Sequence, residues 1–185
     1  MNASDIELIR SIQKGDVRAF ELLVKRYQHP LFNFVFKMLR DYSATEELVQ
    51  EVFLKVYQAL PRFKVLSDAK LSTWIFKIAY NLSLNEIKRR RRLYEFKRKS
   101  LEHEYERTMQ KSLESIKTEE LGDKFSFALK KLPEKQRAAI LLRVTEDLSY
   151  REISGVLNVS VSSIEALIFR ARKNLKKYLY SDSKG

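Results

Sequence analysis

The side chains best suited to bind a ligand lie near the C-terminus of the chain. Basic residues such as Arg170 and Lys173 recur there on one side of a predicted helix whose other side is apolar. Guanidinium and ammonium groups in this pattern bind DNA phosphates and guanine edges. With about 100° of rotation per residue, the candidate DNA contacts on this face and its flank are Ser162, Ser163, Glu165, Ala166, Phe169, Arg170 and Lys173.

Two short helices and a tight turn must position this face. Ser149-Tyr-Arg-Glu152 is a capping-box pattern that begins the first helix, and Ser160 or Ser162 caps the second. The apolar stripe of the second helix consists of Ile164, Leu167, Ile168, Ala171 and Leu175. These signals predict a helix-turn-helix whose second helix enters the DNA major groove. A plain helical hairpin is the alternative.

Phe169 is the most informative residue of the outer face. A phenylalanine on the polar side adds nothing to the core, but it can contact a thymine methyl group. The alternative is that Phe169 packs against a neighbouring helix. Lys176 and Lys177 lie too far along the helix for base edges, so we expect them to take phosphates.

Composition limits the class of protein. The 185 residues carry a formal net charge of +12, which favours a polyanionic partner. The absence of cysteine excludes disulfides and thiolate chemistry, and only four Gly and three Pro favour helices over sheets. No apolar run has membrane-spanning length and no signal-peptide pattern is present. We therefore expect a cytoplasmic protein without direct membrane insertion.

The first ninety or so residues predict a compact bundle of four helices. Their predicted starts are marked by Ser4, Asp16, Ser43 and Ser72, with capping boxes at the first and third. Pro30 is expected to kink or interrupt the second helical segment. The fourth helix is expected to end near Arg92, inside the basic run Lys88-Arg-Arg-Arg-Arg92.

Composition divides the chain into three segments. Residues 1–93 form the predicted N-terminal helical domain, 94–122 a flexible acidic linker, and 123–185 the helix-turn-helix domain. The predicted fold class is therefore all-α, with two helical domains joined by a flexible linker. The alternative is a linker whose charged side chains are only solvated and bind no partner.

The whole chain resembles a bacterial RNA polymerase sigma factor of the extracytoplasmic-function group (group IV). Each motif is modest alone, but their order and spacing together are specific. The motifs are Ala44-Thr-Glu-Glu-Leu-Val-Gln-Glu-Val-Phe-Leu-Lys-Val-Tyr57, Phe63, Ser72-Thr-Trp-Ile-Phe-Lys-Ile-Ala-Tyr-Asn81, Leu132-Pro-Glu-Lys-Gln-Arg137, Leu148-Ser-Tyr-Arg-Glu-Ile153 and Phe169-Arg-Ala-Arg-Lys173.

This resemblance implies a factor that binds core RNA polymerase and directs promoter recognition, DNA opening and transcription initiation. The helix through residues 43–60 would dock on the clamp helices of the polymerase β′ subunit, and the β flap is a further implied contact. The implied carriers of docking are Asp41, Leu48, Gln50, Glu51 and Leu54. The resemblance also implies an anti-sigma factor, often membrane-tethered, which would hold the protein at the inner membrane.

The resemblance assigns promoter reading to two parts of the chain. The loop 63–72 and the following helix would open and read the minus-ten element through Lys64, Lys77, Asn81, Asn85, Lys88 and Arg89. The helix-turn-helix would read the minus-thirty-five element. Trp74 is interpreted as a core residue, because it shares an apolar stripe with Ile78 and Leu82.

Glu165 departs from the family pattern, which usually has Lys or Arg at this position and often Arg at the position of Leu167. A carboxylate repels phosphates and guanine acceptors but accepts from the cytosine amino group. We therefore predict a shifted minus-thirty-five preference, in which Glu165 contacts a cytosine or orients Arg170 or Arg172.

Two other classes compete with this interpretation. A stand-alone helix-turn-helix regulator with an N-terminal dimerisation or sensing domain would bind promoter DNA without polymerase. An enzyme finds little support, because His29 and His103 are far apart and neither a phosphate-binding glycine loop nor a metal-spaced carboxylate cluster is present. We expect no catalytic residue, no metal, no cofactor and no small-molecule substrate.

Overall fold

The computed structural model describes residues 4–63, 70–100 and 122–180, and the regular structure in these ranges is entirely helical. The α-helices are α1 Asp5–Gln13, α2 Val17–Leu39, α3 Tyr42–Ala59, α4 Leu71–Ser100, α5 Gly122–Lys131, α6 Glu134–Val144, α7 Tyr150–Leu157 and α8 Val161–Tyr180. A short 3₁₀ turn, Leu60–Arg62, follows α3. The predicted all-α class is confirmed.

The N-terminal helices form a bundle around α2. This helix packs against α1, α3 and α4, while α3 also packs against α4. Its stripe of Leu23, Leu31 and Phe34 is completely buried. Phe34 meets Phe76 of α4 edge to face, with ring centroids 5.5 Å apart. Burial of this stripe is what drives four helices to assemble.

Of the four predicted starts of the N-terminal helices, Ser4 and Asp16 are confirmed as caps, whereas α4 begins one residue before Ser72. The Ser4 hydroxyl accepts from the Glu7 amide at 3.3 Å, while the Glu7 carboxylate accepts from the Ser4 amide at 2.6 Å, completing a capping box. Asp16 caps α2 by accepting from the amide of Arg18 at 2.9 Å. These side chains satisfy backbone donors that the first helical turn leaves open.

The capping box predicted at Ser43 is wrong. Asp41 caps α3 instead, accepting from the amide of Ala44 at 2.9 Å, and Ser43 lies inside the first turn. That hydrogen bond is the main reason why the pKa of Asp41 is lowered. A carboxylate is favoured over a hydroxyl here because it carries full negative charge at the positive end of the helix dipole.

Of the kink or interruption predicted at Pro30, the interruption is wrong, because α2 runs without a break through this residue. Proline removes one backbone donor from a helix interior. The buried side chains of Tyr27, Leu31 and Phe34 lie on both sides of it and hold the helix against its neighbours. Tertiary packing therefore outweighs the local cost of the proline.

The fourth helix extends beyond its predicted end near Arg92 and reaches Ser100. Neither glycine nor proline occurs between residues 71 and 100, and Glu86 supports the helix by pairing with Arg89 and Arg90 at spacings of three and four. Residues 94–100 of the predicted linker are therefore helical, and 101–121 lie outside the described residues.

The C-terminal helices form a second bundle, in which α8 packs against α5, α6 and α7. The predicted capping box of α7 is confirmed: the Ser149 hydroxyl accepts from the Glu152 amide at 3.3 Å, and the Glu152 carboxylate accepts from the Ser149 amide at 2.8 Å.

None of the described helices has by itself the length and hydropathy to cross a membrane. Helices α7 and α8 reach these limits only as a pair bent by 97°.

Two neighbouring leucines of α2 test the assignment of the core. Leu23 is fully buried, whereas Leu22 is 52% exposed. Leu23→Ala is expected to lower the free energy of unfolding by about 2–5 kcal/mol, because it removes buried apolar contact and leaves a cavity. Leu22→Ala, the matched control, is expected to change it by less than about 0.5 kcal/mol. Urea denaturation measures both; equal losses would contradict the described orientation of α2.

Candidate nucleic-acid interface

A tight turn sets the angle of the last helix. Asn158 ends α7 in the left-handed conformation with φ of 53°, and the Ser154 hydroxyl donates to the carbonyl of Val159 at 2.6 Å. The Ser160 hydroxyl then accepts from the amide of Ser163 at 3.2 Å and caps α8, which settles the choice between Ser160 and Ser162. The resulting angle of 97° between α7 and α8 is that of a DNA-binding helix-turn-helix.

The two faces of α8 separate as predicted. Ile164, Ile168, Ala171 and Leu175 are buried and Leu167 is half-buried. Phe169 is 70% exposed, so the alternative that it packs against a neighbouring helix is excluded. An apolar ring surrounded by exposed polar and basic side chains has no packing role among the residues that the structure describes. It is therefore a strong candidate for contact with a partner.

The polar side chains of the outer face are exposed. These are Ser162, Glu165, Arg170 and Lys173, and the small Ala166 is exposed between them, while Ser163 is half-buried. The Arg170 Nε donates to the carbonyl of Ala166 at 3.2 Å. Within the described part of the chain, the Glu165 carboxylate forms no ion pair with either Arg170 or Arg172. The structure thus gives no support to an orienting role of Glu165.

A second polar surface lies on α4. Asn81, Asn85 and Lys88 are exposed on this helix, while Lys77 is half-buried. Their exposure leaves amide and ammonium groups available to base edges and phosphates. Lys64, the remaining lysine predicted for this surface, lies outside the described residues.

Arg89 belongs to an ion-pair cluster that was not predicted from the sequence. Its Nε and its Nη2 contact the two carboxylate oxygens of Glu86 at 2.7 and 2.8 Å. Arg90 donates to the same carboxylate at 2.6 Å and reaches the Asp41 carboxylate at 3.1 Å. The hydrogen bonds from Arg89 and then Arg90 lower the pKa of Glu86 to about 2, against the effect of its burial. Arg89 and Arg90 follow Glu86 by three and four residues, and this spacing could have predicted the ion pairs from the sequence.

Trp74 packs as a structural residue, as predicted. It is half-buried, and its ring centroid lies 4.7 Å from that of Phe63. The Gln13 side-chain amide donates to the carbonyls of Leu60 and Phe63 at 3.1 and 2.8 Å. Helix α1 thereby fixes the 3₁₀ turn that leads toward α4.

The outer face of α3 carries three of the five residues expected to dock on a protein partner. Gln50 and Glu51 are exposed, and Leu54 is 56% exposed. Leu48 is only 6% exposed and packs in the core, so it is removed from the docking face. Asp41 serves as the cap of α3 and borders an open cleft of about 690 Å³ between α3 and α4.

Comparison with known families assigns the chain. Models described as Sigma-70 region 2 and Sigma-70, region 4 match residues 23–93 and 123–175. The RNA polymerase sigma-H factor of Pseudomonas aeruginosa is 33% identical over 183 residues, 95% of this chain and 93% of that protein. The ECF RNA polymerase sigma-E factor of Escherichia coli K12 is likewise 33% identical over 177 residues, 92% of this chain and 91% of the relative. The chain belongs to the extracytoplasmic-function sigma factors.

Solved structures share the fold of this sigma factor. CnrH, in complex with the cytosolic domain of CnrY, matches with a TM-score of 0.67 at 25% identity and covers 96% of this chain and 97% of that one. The sigma factor RpoE of Bartonella quintana, in complex with the anti-sigma factor NepR, matches with a TM-score of 0.62 at 22% identity, covering 90% and 99%. Both the predicted family and the predicted class of two helical domains with a C-terminal helix-turn-helix are confirmed.

The Glu86 cluster predicts a pH-dependent stability. Its carboxyl titrates near 4.5 when unfolded and at about 2 when folded, so its contribution is complete above about pH 4.5 and is lost as the pH falls through about 2. Glu86→Gln is expected to lower the free energy of unfolding at pH 7 by about 1–2 kcal/mol, after allowance for solvent around the arginines.

Denaturation of wild type and Glu86→Gln from pH 7 to pH 2 measures this difference, which is expected to shrink toward zero at the acid end. Glu95→Gln, in the same helix at an exposed position, is the matched control. A difference between wild type and Glu86→Gln that stays constant down to pH 2 would contradict the assignment.

Proposed function

We propose that this sigma factor binds core RNA polymerase through α3 and reads promoter DNA with α4 and α8. The observation that carries the proposal is the exposed phenylalanine, Phe169, in the outer face of the second helix of a helix-turn-helix. Because this face lies on a sigma factor, its target is promoter DNA, and the chain initiates transcription by bringing polymerase to that DNA. Localisation is accordingly proposed to be cytoplasmic.

The proposed domain boundaries follow from these separate binding functions of α3, α4 and α8. The N-terminal domain, residues 1–93, would carry polymerase docking and minus-ten reading, and residues 123–185 would carry minus-thirty-five reading. The segment between them, 94–122, is proposed as the linker, although its first residues continue α4 as far as Ser100. The acidic side chains between residues 100 and 123 would repel the DNA backbone and leave it to the two reading domains.

Helix α3 is the proposed docking element for the clamp helices of the β′ subunit. Leu54 supplies exposed apolar area, and Gln50 and Glu51 flank it with hydrogen-bonding groups. An apolar residue surrounded by polar ones is the usual arrangement of an interface centre and its rim. The C-terminal domain is proposed to contact the β flap.

The minus-ten element is proposed to meet α4. Lys77 and Lys88 would hold backbone phosphates, while Asn81 and Asn85 would read base edges. Arg89 contributes less than its charge suggests, because its pairing with Glu86 would have to be broken before it could bind a phosphate. Lys64 retains its proposed phosphate contact in the loop before α4.

The minus-thirty-five element is proposed to meet α8. The Ser162 amide and the Ser163 hydroxyl would donate to a phosphate, since they lie at the positive end of the α8 dipole. Phe169 would contact a thymine methyl group, and Arg170 and Lys173 would reach guanine edges or phosphates. Glu165 would accept from a cytosine amino group, which shifts the preferred sequence.

An anti-sigma factor is the proposed regulator. The Bartonella quintana RpoE was solved in complex with the anti-sigma factor NepR, and CnrH was solved in complex with the cytosolic domain of CnrY. The exposed apolar side chains of α3, Leu54 and Tyr57, offer this sigma factor a surface for a similar partner. A membrane-tethered regulator would hold the chain at the inner membrane.

The docking proposal predicts how one negative charge introduced on α3 affects binding to core polymerase. Leu54→Glu is expected to weaken binding to core polymerase at least tenfold, or about 1.4 kcal/mol, because it places a carboxylate at the proposed interface centre. Leu22→Glu, at a leucine of similar exposure on α2, is the matched control.

Binding of each variant to core polymerase, followed by transcription from selected promoters, tests the function directly. Failure of the wild-type chain to bind core would overturn the proposal. Tight promoter binding without polymerase would favour a stand-alone regulator instead.

Glu165 predicts a change in promoter preference. Selection of promoter sequences with wild type and Glu165→Lys is expected to change the preferred base at one minus-thirty-five position from cytosine to a guanine or to no preference. Glu165→Gln keeps an acceptor, so it should retain the cytosine with reduced discrimination. Identical base preferences for all three proteins at every position would refute the proposed contact.

A further inference from the structure

Helix α5 carries an exposed phenylalanine that the proposed promoter-reading surfaces do not use. Phe127 is 52% exposed. Three exposed lysines lie three or four residues from it along the helix: Lys124, Lys130 and Lys131. This spacing places all four side chains on one face, which we call the α5 basic surface. The buried Leu129 lies on the opposite side, where α5 packs against the rest of the bundle.

Two aromatic rings hold one of these lysines in place. The Lys131 ammonium lies 4.3 Å from the ring centroid of Phe127 and 5.6 Å from that of Tyr178, a half-buried residue of α8. The negative faces of the rings attract the ammonium without cancelling its charge. A side chain that is already held in place loses less conformational entropy when it binds a ligand. Lys131 is therefore prepared to bind an anion.

The stability of α5 does not explain this surface. Lys130 and Lys131 lie in the last turn, where the helix dipole favours a cation, but Lys124 lies in the first turn, where the dipole disfavours one. The exposed ring of Phe127 adds little to the core. None of the three lysines forms an ion pair within the described ranges. Lys124 and Phe127 therefore indicate a binding partner.

The side chains of the α5 basic surface define the chemistry of that partner. Unpaired lysines attract a polyanion, and an exposed aromatic ring stacks on a flat apolar group; single-stranded nucleic acid supplies both. Lys124 and Lys131 are seven residues apart, about 10 Å along the helix axis, with Phe127 between them. A base stacked on Phe127 would thus bring neighbouring phosphates toward both lysines. An acidic peptide would pair with the lysines but offer the ring no base to stack on.

The α5 basic surface is separate from the proposed minus-thirty-five surface. Phe169 and Tyr178 are nine residues apart on α8, so at about 100° per residue they lie on opposite sides of this helix. Lys131 approaches α8 on the side of Tyr178, whereas Phe169 faces away and is 70% exposed. A ligand on α5 therefore leaves Phe169 free to contact promoter DNA.

We propose that the α5 basic surface binds single-stranded RNA, with a base stacked on Phe127 and phosphates held by Lys124 and Lys131. The proposal rests on the function assigned above, because transcription supplies a single-stranded RNA while the promoter DNA is assigned to α4 and α8. Binding would tolerate many sequences, since every base has a face that can stack. The chain would thereby contact the transcript whose synthesis it helps to start.

Binding of a fluorescent oligouridylate to the full chain tests the surface directly. Phe127→Ala is expected to weaken binding at least about fivefold, because it removes the stacking ring, and Phe127→Trp is expected to retain the affinity. Phe169→Ala is the matched control, since it truncates the exposed phenylalanine of α8 and should leave RNA binding unchanged. Equal RNA affinities of wild type and Phe127→Ala would overturn the proposal.

The salt dependence of the same binding reports the phosphate contacts. Lys124→Gln is expected to reduce the slope of log K against log salt concentration by about 0.7, the value for one phosphate contact with a single strand. Lys25→Gln removes the same charge at an exposed position of α2 and is expected to leave the slope unchanged. A slope that is the same for Lys124→Gln and wild type would refute the phosphate contact of Lys124.

Cross-linking in the transcribing complex identifies the occupant. A photoreactive phenylalanine analogue at position 127, in the chain bound to core polymerase and promoter DNA, is expected to give a ribonuclease-sensitive product once nucleotides are added. Products with DNA or with a polymerase subunit in place of RNA would overturn the assignment to RNA. If wild type gives no transcription with core, the proposed function fails, while oligouridylate binding by the free chain still decides whether the α5 basic surface takes a single strand.

Discussion

The guanidinium group of Arg137 is the interaction on which the arrangement of the two helical domains depends. It is 8% exposed, and its two terminal nitrogens donate to the carbonyls of Met38 and Leu132 at 2.7 and 3.3 Å. These carbonyls lie at the C-terminal ends of α2 and α5, where the helix dipoles concentrate negative charge. A buried cation requires such compensation, since an uncompensated one costs several kcal/mol. Burial lowers the pKa of Arg137 accordingly.

The compensation of Arg137 is incomplete, and this has a structural consequence. Its Nε is buried without a hydrogen-bond partner among the described residues. The Leu132 contact lies within the C-terminal domain, whereas the Met38 contact joins it to α2. Loss of the interdomain contact would expose the guanidinium to water, which solvates a cation well. The group therefore stabilises the contact between the domains without making it permanent.

Sequence patterns predicted the local features of this fold well and the distant contacts poorly. The cap at Ser4, the capping box at Ser149 and the apolar stripe ending at Leu175 depend on residues within a few positions of each other, so periodicity reveals them. Asp41 caps α3 in place of Ser43, because a charged carboxylate binds the open backbone donors more strongly than the hydroxyl of the capping-box motif does. Pro30 remains inside α2 because buried α2 residues on both sides of it hold the helix against its neighbours.

The candidate site shows the same limit. The exposed Phe169 could be identified from helical spacing alone, because no residue of the described ranges covers it. Leu48 was wrongly assigned to the docking face, because the side of α3 that is buried depends on how this helix packs against the rest of the bundle. The pairing of Arg90 with Asp41 joins α4 to the cap of α3 across many intervening residues, so spacing along one helix could not reveal it.

Net charge therefore overstates the positive surface that α4 offers to DNA. Three arginines in the basic run 88–92 of α4 form ion pairs. Arg89 and Arg90 pair with Glu86, and Arg91 pairs with Glu134. Such pairs reduce the attraction of phosphates and the counterion release that gives affinity without specificity. On α8 the balance differs, because Lys173 and Arg170 form no ion pair within the described ranges. Because the charges of α4 are paired and those of α8 are not, the first contact with DNA would fall to α8, where Phe169 and Glu165 are proposed to select the sequence.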